Sequence, residues 1–226
     1  SYGICLTTSN RSHVNARISS SRFLDNYLDA ISVSGARTVA LDHNYILQKR
    51  DDALSVFGTS AIAESPPASP TGPALAAAVI GGTKLTMRGD SIKFRASGWN
   101  WLSTNNFDSV LVDSLWLENP SDTANFQYSD IRANYGRFTN SKLLNLNWEG
   151  IDFYGRVLVV DNSDFMGCNQ PTCDWLDATA ISARAYTDSG PAVTLTNSRF
   201  RNLQYALWSY VTADSAGPMY LSGNTA

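Results

Sequence analysis

The chain is short of charge. Of its 226 residues only 16% are Asp, Glu, Lys or Arg, against about a quarter in an ordinary domain. Ser, Thr, Asn and Tyr stand in their place. Net charge is −3 and no basic run exists, so nucleic acid is not an expected partner. Long apolar runs are lacking too. The longest, ALAAAVI at 74–80, is too short for a bilayer, and no membrane span is expected. No segment holds a helical period, which excludes αβ units. Phosphate-cradling loops, nucleophile elbows and zinc signatures are all missing. No signal peptide is visible in a sequence that opens on SYGICL, and MYLSGNTA at 219–226 opens a pattern that stops; the chain is expected to be a piece of a longer protein.

Cysteine is scarce, with three in all. Cys168 and Cys173 bracket a proline in GCNQPTCDW. This spacing suits a small surface disulfide in an exported protein, or two reduced thiols. No histidine lies nearby, so no metal site is expected there. Cys5, in GICL, reads as a small buried apolar residue.

What the chain has is repetition. NYLDAISVSG at 26–35 and QKRDDALSVFG at 48–58 align at an offset of 23, Asp29 with Asp52, Val33 with Val56 and Gly35 with Gly58. The match extends upstream through Ile18/Leu41, Ser21/Asn44 and Phe23/Ile46. Looser copies follow in VLVDSLWLEN (110–119), GRFTNSKLLN (136–145), LVVDNSDFMG (158–167), AVTLTNSRFRN (192–202) and MYLSGNT (219–225). Their alignment places Ser114, Ser141, Ser163 and Ser198 at one position, with Trp116, Leu143, Phe165 and Phe200 at the apolar position after it. A second half recurs in ANFQYS, EGIDFYG, TAISAR and YALWSY.

Short alternating strands with Asn, Ser and Gly at the corners predict an all-β solenoid: a single-stranded right-handed parallel β-helix of about eight coils spanning 1–226 as one domain. A sandwich would not need its strands to resemble one another. Two segments break the rule and are expected as loop insertions: the Pro-rich 61–76, and 166–178, which carries the Cys pair and Trp175.

In such a coil, Asp29 and Asp52 become neighbours about 5 Å apart, with Asp51 beside them. Like charges so close push one carboxyl pKa up, which suits acid/base glycoside chemistry; a polar residue before a strand also simply caps a bend. VALDHNYILQKRDDALSVFG (39–58) resembles the central coil of polygalacturonases and related pectin-cleaving glycoside hydrolases. The resemblance implies that Asp51 is the general acid and that Asp29 and Asp52 activate water for inverting hydrolysis. The family's Gly-His-Gly and Arg-x-Lys motifs are absent. Over its whole length the V-x-V-x-x-S/N-x-F pattern is similar to the pectate-lyase-like superfamily, which includes lyases, epimerases, tailspikes and surface proteins. A lyase would call for calcium, with Asp25, Asp29, Asp51 and Asp52 as oxygen donors near Arg22 or Arg50; otherwise no cofactor is expected.

Six tryptophans and ten tyrosines favour a carbohydrate partner as a set, although single rings in a solenoid are usually internal. Candidate substrate-binding residues are His43, Arg50, Arg88, Lys93, Trp99, Trp101 and Trp175. Trp99 and Trp101 flank Asn100 and share a strand face. One glycosylation acceptor pattern, Asn10-Arg11-Ser12, is present. The expectation is an extracellular, cell-surface or virion-borne protein that handles polysaccharide: a glycoside hydrolase, or alternatively a lyase or a non-catalytic adhesin or tail-spike module. Solenoid ends need capping, so a homotrimer or end-to-end neighbours are the assemblies to expect.

Overall fold

The computed structural model describes residues 3–7, 14–26, 28–49, 52–58, 83–95, 100–119, 128–168, 178–185, 191–210 and 217–226. These form a parallel β-solenoid with three faces and no helix. The first face carries β1 (Ile4–Thr7), the opening of β4 (Ile31–Asp42), β6 (Leu54–Gly58), the openings of β9 (Asn100–Asp113), β11 (Tyr128–Thr139) and β13 (Glu149–Asp161), then β15 (Thr179–Ala185) and β18 (Tyr205–Tyr210). The second carries β2 (Val14–Ser19), β7 (Lys84–Arg88), β16 (Ala192–Thr196), β19 (Met219–Ser222) and the closing halves of β4, β9, β11 and β13. These two faces are one twelve-stranded sheet folded along a bend. The third is a separate sheet of seven strands: β3 (Arg22–Asn26), β5 (Tyr45–Gln48), β8 (Ser91–Phe94), β10 (Trp116–Glu118), β12 (Lys142–Leu146), β14 (Asp164–Gly167) and β17 (Arg199–Arg201). The coil count is slightly below the expectation, since seven strands on this face mark six full turns among the described residues.

The corner between the second and third faces explains the polar part of the repeat. At each corner one residue turns left-handed: Ser20, His43, Gly89, Ser114, Asn140, Asn162, Asn197 and Gly223 all have φ between 47° and 67°. Asn and His tolerate this region better than most residues, and Gly pays no steric penalty there. The next residue points inward and caps a backbone N–H of the preceding coil. Ser141 Oγ accepts from Leu115 N, Ser163 Oγ from Ser141 N, and Ser198 Oγ from Ser163 N, each at 3.2 Å. At the other end Asn44 Oδ1 accepts from Ser21 N at 3.1 Å, and Asp90 Oδ1 from Asn44 N at 2.8 Å. Burial raises the pKa of the Asp90 carboxyl against the hydrogen bonds from Asn44. These ladders satisfy donors that would otherwise be buried without partners.

Between corners, alternation sends every second side chain into one core. On the third face the inward column is Phe23, Ile46, Ile92, Leu117, Leu143, Phe165 and Phe200, all buried. Each such burial is worth about 1.5–3 kcal/mol. Phe165 and Phe200 stack with centroids 5.3 Å apart. The 23-residue duplication is real in space: Ile18 pairs with Leu41, Phe23 with Ile46, Ile31 with Leu54 and Val33 with Val56.

Three details differ from the sequence alignment. Gly58 pairs with Ala36, because Gly35 (φ 76°) is the extra residue of a bulge. A Cβ on Gly58 would stand 2.2 Å from the Asn106 carbonyl oxygen, so close backbone approach is what requires glycine there. Ser114 is the left-handed residue of its corner, so the copy at 110–119 slips by one: Leu117, not Trp116, pairs with Leu143. A slip of one reverses the face, and Trp116 is 39% exposed. Cys5 pairs with Ser32, an outward position, and is exposed rather than buried. Cys168 is buried and disulfide-bonded; Cys173 lies outside the described residues, as do 61–76. Of the insertion expected at 166–178, Met166 and Gly167 still belong to β14. No helix among the described residues is long and apolar enough to cross a membrane.

Candidate functional site

Asp29 and Asp52 occupy equivalent places, each two residues before the paired Ile31 and Leu54. Asp52, however, caps the next coil. Its Oδ1 accepts from Asn100 N at 2.9 Å and from Asn100 Nδ2 at 3.1 Å. Its Oδ2 accepts from Ser55 Oγ at 3.3 Å. The Asp29 carbonyl accepts from Gly3 N at 3.3 Å. Asp51 and Arg50 lie outside the described residues, with Trp99 and Trp175.

The remaining candidates are scattered. His43 sits exposed at a corner, its Nδ1 2.7 Å from Asp42 Oδ1. Arg88 ends a second-face strand and lies 4.0 Å from Asp113. Lys93 is on the third face and pairs with Glu118 at 2.6 Å. None of these three is on the face of Asp29 and Asp52. Trp101, expected as a candidate substrate-binding residue, is instead fully buried, and its Nε1–H donates to the Gly150 carbonyl at 2.7 Å. The strand turns this ring inward, where an indole N–H needs a protein acceptor.

The structure assembles a different group on the first face. In β13, Ile151 and Phe153 point into the core, so Asp152 between them points outward; yet Asp152 and Glu149 are 4% and 5% exposed. Outward positions of a one-sided sheet are normally wet, so a buried carboxyl at Asp152 is unusual. Arg184, on the adjacent β15, holds both. Its guanidinium makes a short contact with Glu149 Oε1 and lies 2.8 Å from Asp152 Oδ1. The Arg184 Nε–H is directed at Ser182 Oγ, 3.2 Å away. Asp152 Oδ1 therefore gains charge contact without a well-aligned hydrogen bond.

Register supplies the rest. Tyr154 pairs with Arg132 on one side and Arg184 on the other, with the guanidinium carbons 5.2 and 5.4 Å from its ring centroid. Arg132 is held by Asp130 at 2.9 Å. Along the paired columns of the register, Glu149 leads to Thr179 and Tyr205, and Asp152 to Ser182 and Trp208. Tyr205 and Trp208 are each 45% exposed, with ring centroids 5.6 Å apart. An exposed ring pair thus stands in the same two columns as the carboxyl pair, two coils on, about 10 Å away.

Burial, and then the neighbouring Glu149, push the Asp152 carboxyl up to about 7 against the pull of Arg184. Burial and then Asp152 also raise the Tyr154 phenol. Arg184 is held above its ordinary value by Asp152 and Glu149, although burial opposes this. Near neutral pH the Asp152 carboxyl is therefore shared between its protonated and ionised forms, beside a second acidic side chain and a fixed cation. That separation of roles is what general acid/base chemistry uses. No group of three or more His, Cys, Asp and Glu suited to a metal ion occurs among the described residues.

EGIDFYG and TAISAR are recognisable in the sequence as copies of one half-coil, but their charges lie 35 residues apart and do not announce a pairing. The available signal was the register: aligning the two copies sets Asp152 against Ser182 and Tyr154 against Arg184. Comparison with protein-family models, with curated proteins and with solved structures finds no match for this chain.

Proposed function

We propose that the protein is a polysaccharide-acting β-solenoid of the pectate-lyase-like kind, a glycoside hydrolase working outside the cell, at its surface or on a virion. The observation that supports this is the carboxyl pair Asp152 and Glu149 standing in the same register columns as the exposed rings of Tyr205 and Trp208. The rings are flat apolar surfaces for a sugar. Asp152 gives its proton to the glycosidic oxygen as the bond to the anomeric carbon breaks. Glu149 takes a proton from the water whose oxygen bonds to that carbon. Arg184 and Tyr154 position the pair. A disulfide at Cys168 suits an oxidising compartment.

The test is a polysaccharide panel read for reducing ends and for unsaturated sugars. Reducing ends with the wild type, lost at least about a hundredfold in Asp152→Asn and Glu149→Gln, support hydrolysis. Unsaturated products point to a lyase instead. One observation favours a second reading, a non-catalytic adhesin or tail-spike module: the Glu149–Arg184–Asp152 network is closed on itself and braces β13 against β15. Sugar binding with no product anywhere on the panel would establish the module.

A further inference from the structure

We propose that the outer surface of the third face binds a negatively charged polysaccharide laid along the solenoid axis. This face shares no strand with Asp152 and Glu149, so the inference stands apart from the hydrolytic reading.

The register sets two outward columns on this sheet. One runs Arg22, Tyr45, Ser91, Trp116, Lys142 and on to Asp164. The other begins Leu24, Leu47, Lys93, Glu118. Both are accessible: Trp116 is 39% exposed and Leu24 50%.

The charges on these columns do not cancel. Lys93 is matched by Glu118 at 2.6 Å, and Arg201 by Asp164 at 2.8 Å. Arg22, Lys142 and Arg199 are matched by no acid among the described residues of the face. Three positive charges therefore lie along one side of a chain whose net charge is −3. A local excess of this kind attracts an anion whatever the overall sign.

Two of these cations sit on rings. The Arg22 guanidinium is 5.6 Å from the Tyr45 centroid, and Lys142 Nζ is 5.3 Å from the Trp116 centroid. Trp116 is further oriented by its Nε1–H, which donates to Glu118 Oε2 at 3.2 Å. Tyr45 and Trp116 are two strands apart, about 9.6 Å at the normal strand spacing. That is close to the span of a disaccharide in an extended chain. A ring beside a cation, recurring at that interval, presents a stacking surface for a sugar and a counter-charge for its acid group.

Other occupants fit less well. Three cations spread over seven strands are sparse for a nucleic-acid backbone. A protein partner calls for a contiguous apolar centre, and here apolar and charged side chains are interleaved.

The experiment uses the full chain in affinity electrophoresis and titration calorimetry, with alginate as the polyuronate, dextran as the neutral glycan and oligodeoxythymidine as the nucleic acid. The expected result is alginate binding that weakens with salt and exceeds dextran binding. Trp116→Ala and Lys142→Gln should each weaken it about tenfold. Both residues are on the surface, so their melting curves should match the wild type. Asp152→Asn should bind alginate as the wild type does even if hydrolysis is lost. The proposal is overturned if alginate does not bind, if the variant combining Trp116→Ala with Lys142→Gln binds as well as the wild type, or if oligodeoxythymidine binds equally well.

Discussion

Asp52 and Asn100 are joined across one coil by two hydrogen bonds to a single carboxylate oxygen, 2.9 Å from the backbone N–H and 3.1 Å from Nδ2. Asp52 thus anchors the start of the first-face strand in the following coil. Asp52→Ala leaves those donors without their acceptor and should destabilise the fold by about 1–3 kcal/mol. Asp52→Asn retains an acceptor oxygen and should cost less. Urea unfolding separates the two variants. If Asp52→Asn abolishes polysaccharide cleavage while its unfolding midpoint stays put, the acid cluster at Asp29 and Asp52 is catalytic after all.

Asp152 makes stability depend on pH. Its carboxyl is raised from an ordinary 3.8 to about 7 in the folded chain. Between these values the folded protein holds a proton that the unfolded chain has released. Its contribution is therefore complete below about pH 4, falls as pH rises toward about 7, and levels above that. Thermal melts from pH 4 to pH 8.5 should show this decline, and Asp152→Asn should flatten it. The hydrolysis rate should fall through the same upper range, as the acid loses its proton.

The inward serines of the corner ladder should matter more than their size suggests. Ser141→Ala removes the acceptor for Leu115 N, a buried position, and should cost about 1–3 kcal/mol in urea unfolding. Ser20, exposed at the end of the same corner stack, should tolerate alanine better, although its left-handed backbone carries a penalty of about 1 kcal/mol.

Trp101 should behave as a core residue. Trp101→Ala should cost about 3–5 kcal/mol. Trp101→Phe fills much of the space but gives up the bond to Gly150, and should cost less than alanine. With either variant that folds, alginate affinity should equal that of the wild type by calorimetry, because the ring is not at the surface.

Much of the solenoid was legible because its rule is local. Each coil must send apolar side chains inward and turn at a polar corner, so Ile18/Leu41, Phe23/Ile46 and Val33/Val56 announce their pairing at a fixed interval. The rule weakens where a corner residue can be Ser, Asn, His or Gly alike. Ser114 occupies the left-handed position rather than the capping one, and an alignment that matched serine to serine put Trp116 in the core. Asp29 and Asp52 were read correctly as equivalent in position, but sequence cannot tell a carboxylate awaiting substrate from one already capping Asn100.

The chain's own order of residues determined its class: all-β, coiled, with one apolar interior and polar corners, because stacking repeats a local pattern. Only the tertiary structure decided which charges meet. Glu149 and Arg184 are 35 residues apart, and the loops between coils differ in length. No fixed interval links them. Their contact depends on the register of β13 against β15, and so does the burial that raises the Asp152 carboxyl.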